Sequence, residues 1–171
     1  MKTRKLTLAA LFVAIGTMAS HLIYIPVGVA KCYPMQHAIN VLSAVILGPW
    51  YAGSVAFIIS LLRNLLGTGS PLAFPGSIIG AMLAGFIYQK TKNRLQATLG
   101  EVFGTGIIGA LVAYPVARFL LGKDVAAFFF VVPFLVSTLG GSAIGYAILS
   151  KLNVSVLAKV GFREAELREK P

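Results

Sequence analysis

The chain has 171 residues, 57% of them hydrophobic and only 12% charged, with a mean hydropathy of +0.85. A soluble domain carries about 25% charged residues, and the deficit here runs through positions 6–149, which excludes a soluble domain of useful size. The net charge of +10 does not point to nucleic acid, because the cations are not interleaved with aromatics on one surface. They cluster beside the ends of apolar runs, as the positive-inside bias of membrane proteins predicts.

The first apolar run, 6–25, follows Lys2, Arg4 and Lys5 and stops at Pro26. It reads as a membrane span and not as a cleaved signal peptide, since no exported domain follows and the apolar character continues to Ile25. Positions 35–66 fit either one long helix or two helices folded at Gly48-Pro49, where proline cannot continue the helix ladder. Topology favours two, because only then do Lys90, Lys92 and Arg94 share a side with the amino terminus. The second helix, 35–48, is then short and starts below the outer surface, a placement tolerated where its polar end is buried in protein or lines a cavity. Runs 74–88, 95–121 and 125–149 supply the remaining spans. The predicted architecture is an all-α membrane protein with six transmembrane helices over 1–152 and both termini cytoplasmic. A cytoplasmic tail, 153–171, forms a surface helix or a loose end. Lys151, Lys159, Arg163, Arg168 and Lys170 join the cytoplasmic set, leaving only Lys31, Arg63, Arg118 and Lys123 outside.

Small residues recur at four-residue spacing, as in Ala10/Ala14, Gly76/Gly80/Ala84, Gly100/Gly104 and Gly141/Gly145. Such pairs let helix backbones approach closely in lipid. Internal packing is the ordinary reading of each, and Ala10/Ala14 also qualifies as a smooth face for another membrane protein. The polar residues are lopsided toward the outer ends of the spans: His21, Tyr24, Tyr33, Gln36, His37, Asn40, Arg63, Asn64, Ser70, Ser77, Tyr114, Arg118, Ser137 and Thr138. Polar groups at that depth face a bundle interior or a wet cavity, or snorkel in an interfacial belt. His37 and Asn40 share one helix face, and the glycine-rich turn 67–71 brings backbone close to a ligand. His37, Asn40, Arg63, Asn64, Ser70, Phe74, Ser77 and Tyr114 are therefore the candidate substrate-binding residues of a small-molecule pocket. Arg118 and Lys31 are assigned to its rim.

Glu101 is the only acidic residue within the spans. Its place near the cytoplasmic start of the fifth helix predicts pairing with Arg94 or another basic group, or a partner contact, away from the outer polar cluster. With no carboxylate expected there, a permanent cation has no counter-charge and a neutral ring is the better guest. Arg63 leaves open a phosphorylated or anionic ligand. The single cysteine, Cys32, forms no internal disulfide, and Trp50 reads as an interfacial anchor. No phosphate-binding loop, metal-ligand cluster, paired midplane carboxylates or oriented Ser–His pair is present, so no catalytic residue, metal or cofactor is expected.

Six spans in a short chain, Ala10-Leu-Phe-Val-Ala14 and a polar outer end resemble the substrate-binding S-components of energy-coupling-factor (ECF) vitamin transporters. The runs 40–53 (NVLSAVILGPWYAG) and 62–81 (LRNLLGTGSPLAFPGSIIGA) are similar to the ThiW family, a likeness covering about 6–152. The resemblance implies an S-component-like bundle in a prokaryotic plasma membrane that captures hydroxyethylthiazole, a thiamine precursor, from outside. It also implies a membrane coupling subunit docking on Ala10 and Ala14, ATPase subunits that drive uptake, and a ligand held beneath the loop 26–34. The alternatives are an S-component for another small aromatic vitamin or precursor, and a stand-alone facilitator. An intramembrane enzyme using His37 or His21 ranks last, for want of a residue to orient the base.

Overall fold

The computed structural model describes residues 2–27 and 30–152; the expected tail, 153–171, lies outside the described residues. Six helices follow in order: α1 (Lys2–Leu22), α2 (Pro34–Leu47), α3 (Pro49–Leu65), α4 (Ala73–Thr91), α5 (Arg94–Leu120) and α6 (Val131–Lys151). Three of them, α1, α5 and α6, are long and apolar enough to cross a membrane. Leucine, isoleucine and phenylalanine side chains remain exposed along every helix except α2, including Leu11, Phe57, Phe86, Leu111 and Ile144. That surface suits lipid and not water.

Gly48-Pro49 does break the 35–66 region in two. Gly48 takes φ +89°, a conformation open to glycine, and Pro49 opens α3 at a position where its missing N–H costs nothing. The sixth helix begins six residues later than the 125–149 expectation. Pro133 accounts for this: it has no N–H to donate, so it must sit in a first turn, and a start at Val125 would bury it mid-helix. Residues 121–130 instead form a loop that turns at Gly122 (φ +62°) and drives Phe130 into the core.

The α2 helix is the central rod. Twelve of its residues are buried, among them Ala38, Ile39, Val41, Ala44 and Val45, and it packs on α1, α3, α4, α5 and α6. Glycines set the closest approaches. Gly141 and Gly145 of α6 lie against Pro34, His37, Ala38 and Val41 of α2, while Gly76 and Gly80 of α4 face Gly104 and Gly109 of α5. These small-residue spacings are internal packing, as the ordinary reading held. On α1 the small residues divide: Ala9, Gly16 and Ser20 are buried, and Ala10 and Ala14 are exposed with Leu11 and Met18.

Between α1 and α2 the chain forms a short antiparallel ribbon, Ile25–Val27 with Ala30–Cys32, paired Ile25 to Cys32 and Pro26 to Lys31. The ribbon, the α3–α4 loop and the α5–α6 loop gather at one end of the bundle. Arg4, Lys5, Lys90, Lys92, Arg94 and Lys151 lie at the other end.

Candidate functional site

A cavity of about 390 Å³ lies under that gathering of loops. Its size is at the small end of the range of roughly 300–1,000 Å³ found for small-molecule sites. The walls come from every helix except α1 and from the second strand of the ribbon. Gln36 and His37 rise from the first turn of α2, Arg63 from the end of α3, Ser77 and Gly76 from α4, and Thr105 from α5. Phe129, Phe130, Pro133 and Phe134 form an apolar side, and Lys31, Tyr33 and Lys123 stand near the loops.

The ribbon is pinned over this space by two contacts to α6. The Cys32 thiol donates to the Pro133 carbonyl at 3.1 Å, and the Tyr33 N–H donates to the Ser137 hydroxyl at 2.8 Å. Burial pushes the Cys32 thiol pKa up, which keeps it protonated and able to donate. The Tyr33 ring lies over the Arg63 guanidinium, 3.7 Å from Cζ to the ring centroid, a cation–π contact.

Beneath the wall a buried polar network joins four helices. Arg63 donates to the Gln36 carbonyl oxygen and, at 3.1 Å, to the Thr68 carbonyl. The Gln36 amide donates to Ser60 at 2.9 Å and to Ser77 at 2.8 Å. The Asn40 amide donates to the Ser77 hydroxyl and to Glu101 Oε1, both at 2.9 Å. His37 Nδ1 meets the same Glu101 oxygen at 2.9 Å, and the Thr105 hydroxyl reaches it at 3.0 Å. Arg63 is 2% exposed and Glu101 is 0% exposed, so the network buries an arginine and a glutamate at its two ends.

Glu101 therefore corrects the expectation drawn from sequence. It does not pair with Arg94, whose guanidinium donates to the Leu149 carbonyl at 2.5 Å. It lies in the polar cluster itself, bonded to His37 and Asn40. The missed signal was a count. Asn40 stands eight residues before Gly48, and Glu101 stands eight residues after Asn93. Both loops are at the basic end, and at 1.5 Å per residue the two side chains come level about 12 Å up. The premise that no carboxylate reaches the cluster falls.

Of the candidate binding residues, His37, Arg63, Ser70 and Ser77 line the cavity. Asn40 lies directly below, holding Ser77 and Glu101. Asn64, Phe74 and Tyr114 do not line it. Asn64 donates to the Ser60 and Ser70 carbonyls and so shapes the α3–α4 turn. Phe74 packs on Phe57 with ring centroids 5.5 Å apart. Tyr114 accepts a 2.6 Å hydrogen bond from Arg118 on the exposed side of α5. Gln36, one of the outer polar set though not among the candidates, and Thr105, which was not singled out, join the wall, and among the described residues no cluster suited to a metal occurs.

Over residues 6–155 the chain matches the family described as "Thiamine-precursor transporter protein (ThiW)". That stretch takes in α1 from residue 6 and the other five helices whole, and the chain belongs to the ThiW family. Comparison with curated proteins found no match, and comparison with solved structures found none.

Proposed function

From membership of a thiamine-precursor transporter family, we propose that this chain is the solute-binding S-component of an ECF-type importer and captures hydroxyethylthiazole at the outer face of a prokaryotic plasma membrane. The observation that carries the reading is the cavity: small, largely apolar, walled by aromatics and reached by a few polar groups held in place by a buried network. A thiazole ring fits beside Phe129, Phe130 and Phe134, while its nitrogen and hydroxyl meet the polar wall. All six helices cross the bilayer in this reading, with both termini in the cytoplasm. The basic residues gathered at the end opposite the cavity support that orientation.

The S-component role is supported by two further features. Glu101, the one membrane-buried carboxylate among the described residues, is tied to His37, Asn40 and Thr105 and is sealed from solvent. Ala10 and Ala14 lie exposed on α1, where a coupling subunit would dock and connect the chain to ATPase subunits. A second reading, an anionic thiazole derivative, draws on Lys31, Arg63 and Lys123 in the walls. Calorimetric titration of the purified chain in detergent, without nucleotide, tests both. Saturable binding of hydroxyethylthiazole but not its phosphate supports the first, and the reverse supports the second. Accumulation of solute by liposomes holding this chain alone would replace both with a stand-alone carrier.

A further inference from the structure

Glu101 does not line the cavity, yet it decides what the cavity offers. A carboxylate only accepts, so the hydrogen in its 2.9 Å contact with His37 sits on Nδ1. Asn40 donates to the same oxygen, and the Thr105 hydroxyl shares its one hydrogen between that oxygen and the Gly76 carbonyl, each at 3.0 Å, which fixes the carboxylate and through it the plane of the ring. The other ring nitrogen, Nε2, has no protein partner among the described residues, and His37 is a wall residue.

The charge of the ring follows from what surrounds it. Glu101 faces it from α5 and Arg63 shares the cavity from α3. The ribbon and its following residue bring Lys31, Cys32 and Tyr33, and the α5–α6 loop brings Lys123. Toward the cavity, α4 and α6 contribute only the hydroxyls of Ser77 and Ser137. Arg63 and Glu101 are joined through Gln36, Ser77 and Asn40. An imidazolium would add a second cation to this buried network beside two lysines, the costly arrangement for buried ions. A neutral ring protonated at Nδ1 carries its lone pair on Nε2.

We infer that Glu101 is a positioning residue that turns His37 into a hydrogen-bond acceptor at the cavity wall, so that the site selects a neutral solute by its hydroxyl group. The inference rests on the solute-binding reading of the cavity. A hydroxyl both donates and accepts: its proton goes to Nε2 of His37, and its oxygen accepts from the N–H groups of Arg63 or a wall hydroxyl. A phosphate ester or carboxylate brings no proton for that lone pair. An ammonium group brings one but meets Arg63, Lys31 and Lys123.

The chain has only two histidines, His21 and His37, so imidazole nitrogen NMR of the full-length protein in micelles at neutral pH reads His37 directly, with His21→Gln for assignment. A neutral ring carrying its proton on Nδ1 is expected. A doubly protonated ring, or a proton on Nε2 alone, overturns the inference without any solute. The second arm compares hydroxyethylthiazole with the ethyl analogue that lacks the hydroxyl. Wild type should prefer the hydroxyl compound by about tenfold, the size of one net hydrogen bond. Glu101→Gln, whose amide accommodates either tautomer, should lower that preference to about threefold or less, costing the hydroxyl compound more affinity than the ethyl analogue. Equal loss for both solutes would reduce Glu101 to a packing role and overturn the inference. If neither solute binds wild type, the thiazole reading falls, and the nitrogen spectrum still decides the state of His37.

Discussion

Gly80 of α4 owes its lack of a side chain to Glu101 of α5. A Cβ at Gly80 would lie 2.5 Å from Glu101 Oε2 and would strike the Thr105 hydroxyl as well. The closest approach of these two helices is therefore also the ceiling on what fits around the buried carboxylate. Gly80→Ala should cost about 1–3 kcal/mol of stability, the usual range for overpacking, and should weaken solute binding by displacing the Glu101–His37 contact. Gly140→Ala is the control, since its nearest neighbour would be the Pro34 Cβ at 3.8 Å. Thermal unfolding and titration of both variants check this; equal behaviour would contradict it.

Arg63 and Glu101 should prove energetically coupled although they do not touch. Arg63→Gln leaves Glu101 without its balancing charge, and Glu101→Gln leaves Arg63 likewise. Losing hydrogen bonds to a buried charge costs about 1.5–3 kcal/mol each. The double variant should be less destabilised than the sum of the single ones, by about 1 kcal/mol or more. Strict additivity in denaturation in detergent would mean that the relay through Gln36, Ser77 and Asn40 transmits no charge compensation.

The docking proposal separates binding from transport. Ala10→Leu and Ala14→Leu change exposed positions on α1, far from the cavity walls. Each should leave solute affinity of the isolated chain within about twofold and abolish uptake and copurification with coupling subunits in cells. Uptake that survives both substitutions removes α1 as the docking face.

Cys32 gives a pH-dependent probe of the ribbon. Its thiol is 2% exposed and its pKa is raised by burial, so the folded state holds the proton to higher pH than the unfolded chain. The sign follows: the contribution to stability is full below the ordinary thiol value near 8.5 and is lost as pH rises from there through the raised pKa of the folded state. Maleimide labelling should therefore be slow at neutral pH and should go on accelerating above about pH 8.5, where a free thiol levels off. Cys32→Ala, which removes the donor to the Pro133 carbonyl, should loosen the ribbon and weaken solute retention.

Orientation is open to direct measurement. In a Cys32→Ala background, Asp124→Cys should label from outside intact cells with an impermeant reagent, and Lys92→Cys should label only after lysis. The reverse pattern would invert the map and remove the outward-facing receptor.

Much of the fold was legible because a few residues constrain it regardless of context. Gly48-Pro49 left 35–66 open to one helix or two, and the distribution of lysine and arginine chose the break that the structure shows. The site was legible in part. His37, Arg63, Ser70 and Ser77 reach the cavity from elements whose ends the sequence marks. Phe74 and Tyr114 did not follow, because an aromatic near the end of a span faces lipid or cavity with equal ease, and tertiary packing alone decides. Glu101 was misplaced by judging depth along its own helix without comparing it with the short α2. The ribbon was missed because three-residue strands leave no periodicity to read.

The winding of α5 has a consequence of its own. Ala97, Glu101, Thr105, Gly109, Ala113 and Ala117 are all buried, one every fourth residue. On a regular α-helix each step of four overshoots a full circle by about 40°, so this row would wander through roughly 200° and point its far end at lipid. Two segments, Gly104–Gly109 and Val116–Leu120, are wound instead as π-helix, with more residues to each circuit. The slackened coil lets a spacing of four run straight, and it lets one rod aim a carboxylate inward near one end and keep an alanine seam shut near the other. Deleting a single residue between 104 and 109 would rotate those two halves out of agreement.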